Sequence, residues 1–126
     1  ISIKKIKDME IKKTGKLFSF CCMAPVIVSN KHKYLKKFEQ IGEQIGLLFQ
    51  IVDDLIDLKS SSKKAGKKTK KDMKKGKATF IKVLGYKNTV DYRDKLKLNI
   101  LNKIHKFGKK GKNLGDTINY IVNRSK

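Results

Sequence analysis

Three carboxylates stand close together in an apolar part of the chain. Asp53, Asp54 and Asp57 occur in the segment from Leu47 to Leu58, where nearly every other residue is apolar. Asp53 and Asp57 are four positions apart, so in a helix they project from one face, and Gln50 extends this polar row by another turn. We therefore expect an amide and acids in a row along a largely buried helix.

Carboxylates in such a place need a compensating cation. Buried unpaired charge is costly and is otherwise avoided by protonation, and acids near a helix C-terminus also interact unfavourably with the helix dipole. Mg²⁺ takes oxygen ligands and is usually completed by water and substrate phosphates, which favours a Mg²⁺ site. Gly42 and Gly46 continue the same face, and we expect them to leave room for a cavity. The alternative is salt bridging to the lysines between 59 and 77, although exposed salt bridges contribute little.

The segments that position these acids are predicted to be helices. Apolar residues recur with period 3.6, and strand alternation does not extend over four or more residues, so we expect an all-α array of about five helices. The strongest pattern runs from about 33 to 58. Its apolar residues are spaced by three and four: Phe38, Ile41, Ile45, Leu48, Val52 and Leu55.

Weaker patterns predict the remaining helices. One helix is expected from about 3 to 24, with a kink or break at Pro25 because proline cannot donate the backbone hydrogen bond, and Ser29 and Asn30 offer capping oxygens before the next helix. A short helix is expected from 79 to 84, ending at Gly85. Two amphipathic helices are predicted at about 89–107 and 114–124, separated by a loop with two glycines. No internal repeat is evident.

The charge of the chain is strongly positive. Its 126 residues include 32 Lys+Arg and 11 Asp+Glu, for a net charge of +21, and Arg93 and Arg124 are the only arginines. Proteins that recognise nucleic acid usually rely on arginine and on aromatic side chains that stack on bases, so specific nucleic-acid binding is disfavoured. Most of the lysines are expected to form a solvated surface. The lysine-rich stretch 59–77 predicts either an anion clamp or disordered filler.

Several features bear on the compartment. Cys21 and Cys22 are adjacent, which suits neither an ordinary disulfide nor a metal knuckle, so we expect a reduced, cytoplasmic setting. The longest mostly apolar stretch, from Leu17 to Val28, is shorter than the roughly 20 residues of a transmembrane helix, so no transmembrane segment is expected. The chain opens at Ile1 without an initiator Met, which suggests that upstream sequence is missing.

The acidic segment resembles a known motif. Phe49-Gln50-Ile51-Val52-Asp53-Asp54-Leu55-Ile56-Asp57 is similar to the second aspartate-rich DDxxD motif, with its preceding FQ, of the short-chain trans-polyprenyl diphosphate synthases of the farnesyl and geranylgeranyl type. Other matches follow in the family's order. They are Lys13-Thr14-Gly15 for KTG, Gly66-Lys67 with Asp72 for GKxxGxD, Gly76-Lys77-Ala78-Thr79-Phe80 for GKST[YF], and the closing residues 119–126 for the end of bacterial farnesyl-type members.

The resemblance implies an all-α isoprenoid-synthase bundle and a prenyltransferase. In that family Mg²⁺ bridges aspartates and an allylic diphosphate, whose departure leaves a carbocation that isopentenyl diphosphate attacks. Carried over by position, the residues have three roles. Asp53, Asp54 and Asp57 would bind Mg²⁺; Lys13, Lys67 and Lys77 would bind diphosphate; Thr14 and Gln50 would line the reacting carbons, with Lys13 also counted in the catalytic set.

The chain also departs from the family pattern. Lys70 and Lys71 stand before Asp72, where the family has glycine, and the first aspartate-rich motif, which precedes KTG in the family, is absent. We therefore expect residues 1–126 to be the C-terminal half of a synthase domain, inactive alone and homodimeric at full length. Two alternatives stay open, namely a non-catalytic helical partner subunit and a lysine-rich module that binds nucleic acid or an anionic surface.

Overall fold

The computed structural model describes residues 1–64 and 79–126. These residues form α-helices and tighter or wider helical turns, with no strand among them, so the all-α prediction is confirmed. The helices are α1 Ile3–Glu10, α2 Lys16–Val28, α3 Leu35–Lys64, α4 Phe80–Leu84, α5 Tyr86–His105 and α6 Lys112–Asn123. The loop motifs that resemble GKxxGxD and GK, including Lys67, Asp72 and Lys77, lie outside the described residues.

The first predicted helix is interrupted, but not at Pro25, where the break was expected. A π-helical turn, Ile11–Gly15, separates α1 from α2, and α2 continues through Pro25 to Val28. The expected break at Pro25 is therefore wrong, because the missing N–H removes one hydrogen bond while the backbone stays helical to the end of α2. Ser29 caps this end rather than the next helix, since its Oγ donates to the carbonyl oxygen of Pro25 at 2.7 Å.

The core is organised around α3. Five residues of its predicted apolar stripe are buried, at most 4% exposed, whereas Phe38 is partly buried and packs its ring 5.3 Å from that of Phe107. The helix extends beyond the predicted end at 58. Ser61 and Ser62 lie on this added part, and their hydroxyls donate to the carbonyls of Asp57 and Leu58.

Helix α2 and the π turn pack closely against α3 through the two glycines. A Cβ on Gly46 would lie 2.6 Å from the Cα of Gly15, and a Cβ on Gly42 would lie 2.5 Å from the Cα of Ser19. The backbones of the two segments therefore fill the space beside both glycines. The prediction that Gly42 and Gly46 leave room for a cavity is wrong, because that room is taken by close helix contact.

Helices α4 to α6 complete the bundle against α3. Thr79 caps α4 by accepting a hydrogen bond from the backbone N–H of Lys82, and Gly85 ends α4 with a positive φ of 79°, as the sequence predicted. Phe80 is fully buried, and its ring stacks 5.6 Å from that of Tyr92 on α5. Both cysteines are free thiols. Within residues 1–64 and 79–126, no helix is long and apolar enough to cross a membrane.

Candidate functional site

The three aspartates of α3 differ in burial and in partners. Asp53 and Asp54 are partly buried, whereas Asp57 is exposed. Gln50 was expected to continue a row with Asp53, but its Nε2 donates instead to Oδ1 of Asp54 at 3.2 Å, across one helical turn. Gln50 and Asp54 therefore form one pair, and Asp53 is left to a different partner.

Asp54 is harder to ionise than an ordinary aspartate. Burial raises the pKa of Asp54 from 3.8 to about 6; the hydrogen bond from Gln50 lowers it, and the negative charges of Glu10, Asp57 and Asp53 raise it further. Burial is the largest cause of the shift because it disfavours the charged form, and the neighbouring acids add to that effect. A cation bound beside Asp54 would favour its ionised form.

Glu10 is a fourth acid at this place, and the sequence motifs did not reveal it. It is 4% exposed at the end of α1, and its charge acts on Asp54. A signal was present in the spacing, because Glu10 follows Ile3 and Ile6 by seven and four positions, which places it on the apolar face of α1. The acidic site therefore draws on α1 as well as α3.

Within the described part of the chain, Arg124 forms an ion pair with Asp53. Its Nη2 donates to Oδ1 of Asp53 at 2.8 Å and to the carbonyl oxygen of Phe49 at 3.2 Å, and its guanidinium carbon lies 4.1 Å from the centre of the Phe49 ring. The alternative of salt bridges to the lysines between 59 and 77 falls mostly outside the described residues and stays a prediction. Sequence reasoning missed the role of Arg124, although an arginine among 30 lysines was a signal that planar geometry mattered here.

The KTG segment forms the π turn. π-helical turns are rare and are frequent at functional sites. Gly15 packs against Gly46, which is one helical turn before Gln50, so the segment lies beside the approach to the acids. Thr14 is partly buried and Lys13 is exposed.

Lys13 opens onto a basic cleft. The cleft has a volume of about 560 Å³ and is lined by Lys5, Asp8, Met9, Lys12 and Lys13. Three ammonium groups against one carboxylate suit an anionic ligand. In the described part of the chain, no hydrogen bond or ion pair joins Lys13 to the aspartates of α3.

The acids fit Mg²⁺ as an open site rather than as a closed cage. Among residues 1–64 and 79–126, no three or more His, Cys, Asp or Glu side chains are grouped so that they could enclose a metal ion. Mg²⁺ is usually held by one or two carboxylates, with water and substrate phosphate completing its shell. Asp53 and Asp54 carry carboxylates of the kind that such an open site requires.

Comparison with known proteins identifies the family. The family model described as polyprenyl synthetase matches residues 1–117, which include the KTG turn and the acidic part of α3. Neither the curated proteins nor the solved structures gave a significant match. The match covers most of the chain, and the all-α fold, the KTG turn and the acid-rich helix agree with it. The chain belongs to the polyprenyl synthetase family, whose members are prenyltransferases.

Proposed function

We propose that this chain serves the Mg²⁺-dependent head-to-tail (1′-4) condensation of an allylic diphosphate with isopentenyl diphosphate, giving farnesyl or geranylgeranyl diphosphate. Family membership supports the reaction class. The single observation that carries the assignment to this site is the placement of partly buried Asp53 and Asp54 within reach of the negative charge of buried Glu10. A site with surplus carboxylate charge calls for a hard divalent cation, which in turn attracts a diphosphate.

The residues have separate tasks in this proposal. Asp53 and Asp54 hold Mg²⁺, and exposed Asp57 adds a ligand or acts through water. Lys13 binds diphosphate oxygens at the basic cleft, with Lys67 and Lys77 from the lysine-rich segment as further diphosphate ligands. Thr14 and Gln50 line the reacting carbons, where the amide of Gln50 is already fixed by its bond to Asp54.

The proposed prenyl transfer depends on the charges that surround the diphosphate. Asp53 and Asp54 would hold Mg²⁺, which when bound would supply positive charge that makes the diphosphate a better leaving group. Lysine ammonium groups act as point-charge ligands for phosphate and stabilise the negative charge that develops on the departing diphosphate.

The remaining parts of the proposal concern the assembled enzyme. We propose that residues 1–126 need the first aspartate-rich motif of the family for turnover, that the complete enzyme is a homodimer, and that it acts in the cytoplasm. The 126-residue chain alone should then bind Mg²⁺ and diphosphate without catalysing transfer. An assay with geranyl diphosphate, isopentenyl diphosphate and Mg²⁺ tests this, and clear turnover would contradict it.

Calorimetric titration of the chain with geranyl diphosphate tests the site itself. We expect binding to require Mg²⁺ and to weaken by about tenfold or more in Asp53→Asn, because a ligand of the ion is lost. Asp91→Asn is the matched control, since it removes an exposed carboxylate from α5 instead. Binding that survives both EDTA and Asp53→Asn would mean that lysines alone hold the anion, which contradicts the proposed Mg²⁺ site.

A further inference from the structure

Arg124 is held more firmly than a surface arginine. It follows the last residue of α6, and its side chain is 12% exposed. Besides Asp53 and the carbonyl of Phe49, it bonds the carbonyl oxygens of Ile121 through Nε and of Lys126 through Nη1, both at 3.3 Å. The Phe49 ring covers one face of the guanidinium. Four hydrogen bonds and a ring contact fix the group in one orientation.

This arrangement requires arginine. A lysine ammonium could pair with Asp53, but it could not present a planar fork to several acceptors and also lie flat on the Phe49 ring. The chain has 30 lysines and two arginines, and one of the two stands here. Arg124 also lies beyond residues 1–117, which the family model matches, so its role is not part of that match.

The contact leaves part of Asp53 available. The ion pair uses Oδ1, and 41% of the Asp53 side chain is exposed. A carboxylate has about four acceptor positions on its two oxygens, so the group can accept from Arg124 and bind a cation at the same time. Because Arg124 has three carbonyl partners and the ring besides Asp53, it would stay in place when a metal ion arrives.

We propose that Arg124 is a positioning residue for Asp53: it fixes the carboxylate through Oδ1 and directs the remaining oxygen to a divalent cation. The inference rests on the proposed function, which makes Asp53 a ligand of Mg²⁺. Hydrogen bonds from outer groups commonly orient metal-binding carboxylates and determine their affinity. The opposite effect, in which Arg124 competes with the cation for Asp53, is an outcome of the test.

Mn²⁺ binding provides the first measurement. The 126-residue chain is titrated with Mn²⁺, the free ion is followed by electron paramagnetic resonance, and Mg²⁺ is used to compete. We expect Arg124→Gln to weaken Mn²⁺ binding by about tenfold, and Arg124→Lys not to restore it, because charge without the planar fork does not fix the carboxylate. Arg93→Gln is the matched control; Arg93 pairs with Asp94 on α5, and its loss should leave the affinity unchanged.

The guanidinium signals provide the second measurement. With only two arginines in the chain, the ¹⁵N–¹H spectrum of the Nε groups contains two side-chain signals, which the Arg93→Gln variant assigns. Mn²⁺ should broaden the Arg124 signal and spare that of Arg93, and diamagnetic Mg²⁺ should leave the Arg124 signal sharp. Selective broadening establishes that the ion binds beside Arg124. Weaker Mn²⁺ binding in a folded Arg124→Gln variant, without rescue by Arg124→Lys, then distinguishes positioning from a purely structural role. Circular dichroism of each variant establishes that helicity is retained.

The outcomes separate the two proposals. Equal or tighter Mn²⁺ binding in a folded Arg124→Gln variant, with the Arg124 signal of the wild type still broadened, overturns the positioning role and leaves the metal site standing. Full rescue by Arg124→Lys also overturns it. Absence of Mn²⁺ binding in the wild type overturns the metal site of the proposed function, and the positioning role with it.

Discussion

Asp53 and Asp54 are neighbours in the chain but have different electrostatic surroundings. Asp53 accepts a hydrogen bond from a guanidinium, whereas Asp54 accepts a hydrogen bond from the amide of Gln50 and lies within reach of the charge of Glu10. A carboxylate beside a cation is stabilised in its ionised form, and one that is buried near other acids is destabilised in that form. Replacing each acid by its amide should therefore have opposite effects on stability.

We predict that Asp54→Asn stabilises the metal-free chain at neutral pH by about 1 kcal/mol, allowing for solvent screening. The folded pKa of Asp54, about 6, exceeds its ordinary value of 3.8. Wild-type stability relative to the variant is therefore lost as pH rises from about 4 through about 6, and the two proteins converge below about pH 4. Urea unfolding in EDTA between pH 4 and pH 8 measures this.

Asp53→Asn serves as the comparison in the same titration. It removes the charge from the contact with Arg124, so we expect it to lower the free energy of unfolding at pH 7, by about 1 kcal/mol for a partly exposed pair. A stability difference between Asp54→Asn and wild type that is the same at pH 4 and pH 8 would contradict the unfavourable ionisation of Asp54.

Among the elements, the contact of α2 and the π turn with α3 places KTG beside the acids. Gly15 and Gly46 meet backbone to backbone, as do Ser19 and Gly42. Side chains larger than hydrogen at these glycines would hold the helices apart, and Lys13 and Thr14 would move away from Gln50. Close packing therefore determines the relative position of two motifs that lie more than 30 residues apart in sequence.

We predict that Gly46→Ala destabilises the chain by about 2 kcal/mol, because its Cβ would lie 2.6 Å from the Cα of Gly15 and backbone must shift. This loss exceeds the roughly 1 kcal/mol that alanine gains in helix propensity. Chemical denaturation monitored by circular dichroism measures the change.

Gly115→Ala is the matched control on α6. The nearest atom to its new Cβ is Cδ2 of Leu101, at an ordinary contact distance of 3.9 Å, so only the propensity gain should remain, about 0.5 to 1 kcal/mol of stabilisation. If both Gly46→Ala and Gly115→Ala stabilise the chain, the prediction that Gly46 is needed for the close approach of the π turn to α3 is wrong.

At the scale of the whole molecule, the net charge of +21 opposes compaction. The described ion pairs of Lys16 with Glu43 and of Lys112 with Asp116 each engage one lysine at the surface, and the 11 acids are far too few for the 32 basic residues. Self-repulsion of like charges destabilises a compact state, and salt screens it. The proposed Mg²⁺ and diphosphate would supply opposite charges at the acids and at the basic cleft.

We predict that the melting temperature rises by several degrees between about 0.01 M and 0.15 M NaCl, over which the Debye length falls from about 30 Å to about 8 Å. Differential scanning calorimetry at pH 7 measures the shift. Sodium perchlorate at the same concentrations is the control, because simple screening depends on ionic strength rather than on the anion. A melting temperature that falls as either salt is added would contradict charge repulsion as a main source of instability.

Local patterns in the sequence predicted most of the elements. The apolar stripe of α3, the short helix before Gly85 and the positions of α5 and α6 follow from spacing and turn residues, which act over a few positions. The π turn and the passage of α2 through Pro25 were not predicted, because both depend on how this stretch packs along α3. The extension of α3 past 58 was also missed.

The sequence alone determined the all-α class, the resemblance to polyprenyl synthases and the selection of Asp53, Asp54 and Asp57 as candidate metal ligands. Helical period and motif spacing are local properties of the chain. Only the tertiary structure decided which partners these acids have. It brought buried Glu10 toward Asp54 and paired Arg124 with Asp53 from 71 positions away. It also filled the space beside Gly46 with backbone. Contacts between distant segments depend on how whole helices pack, and residue spacing within one helix does not contain that information.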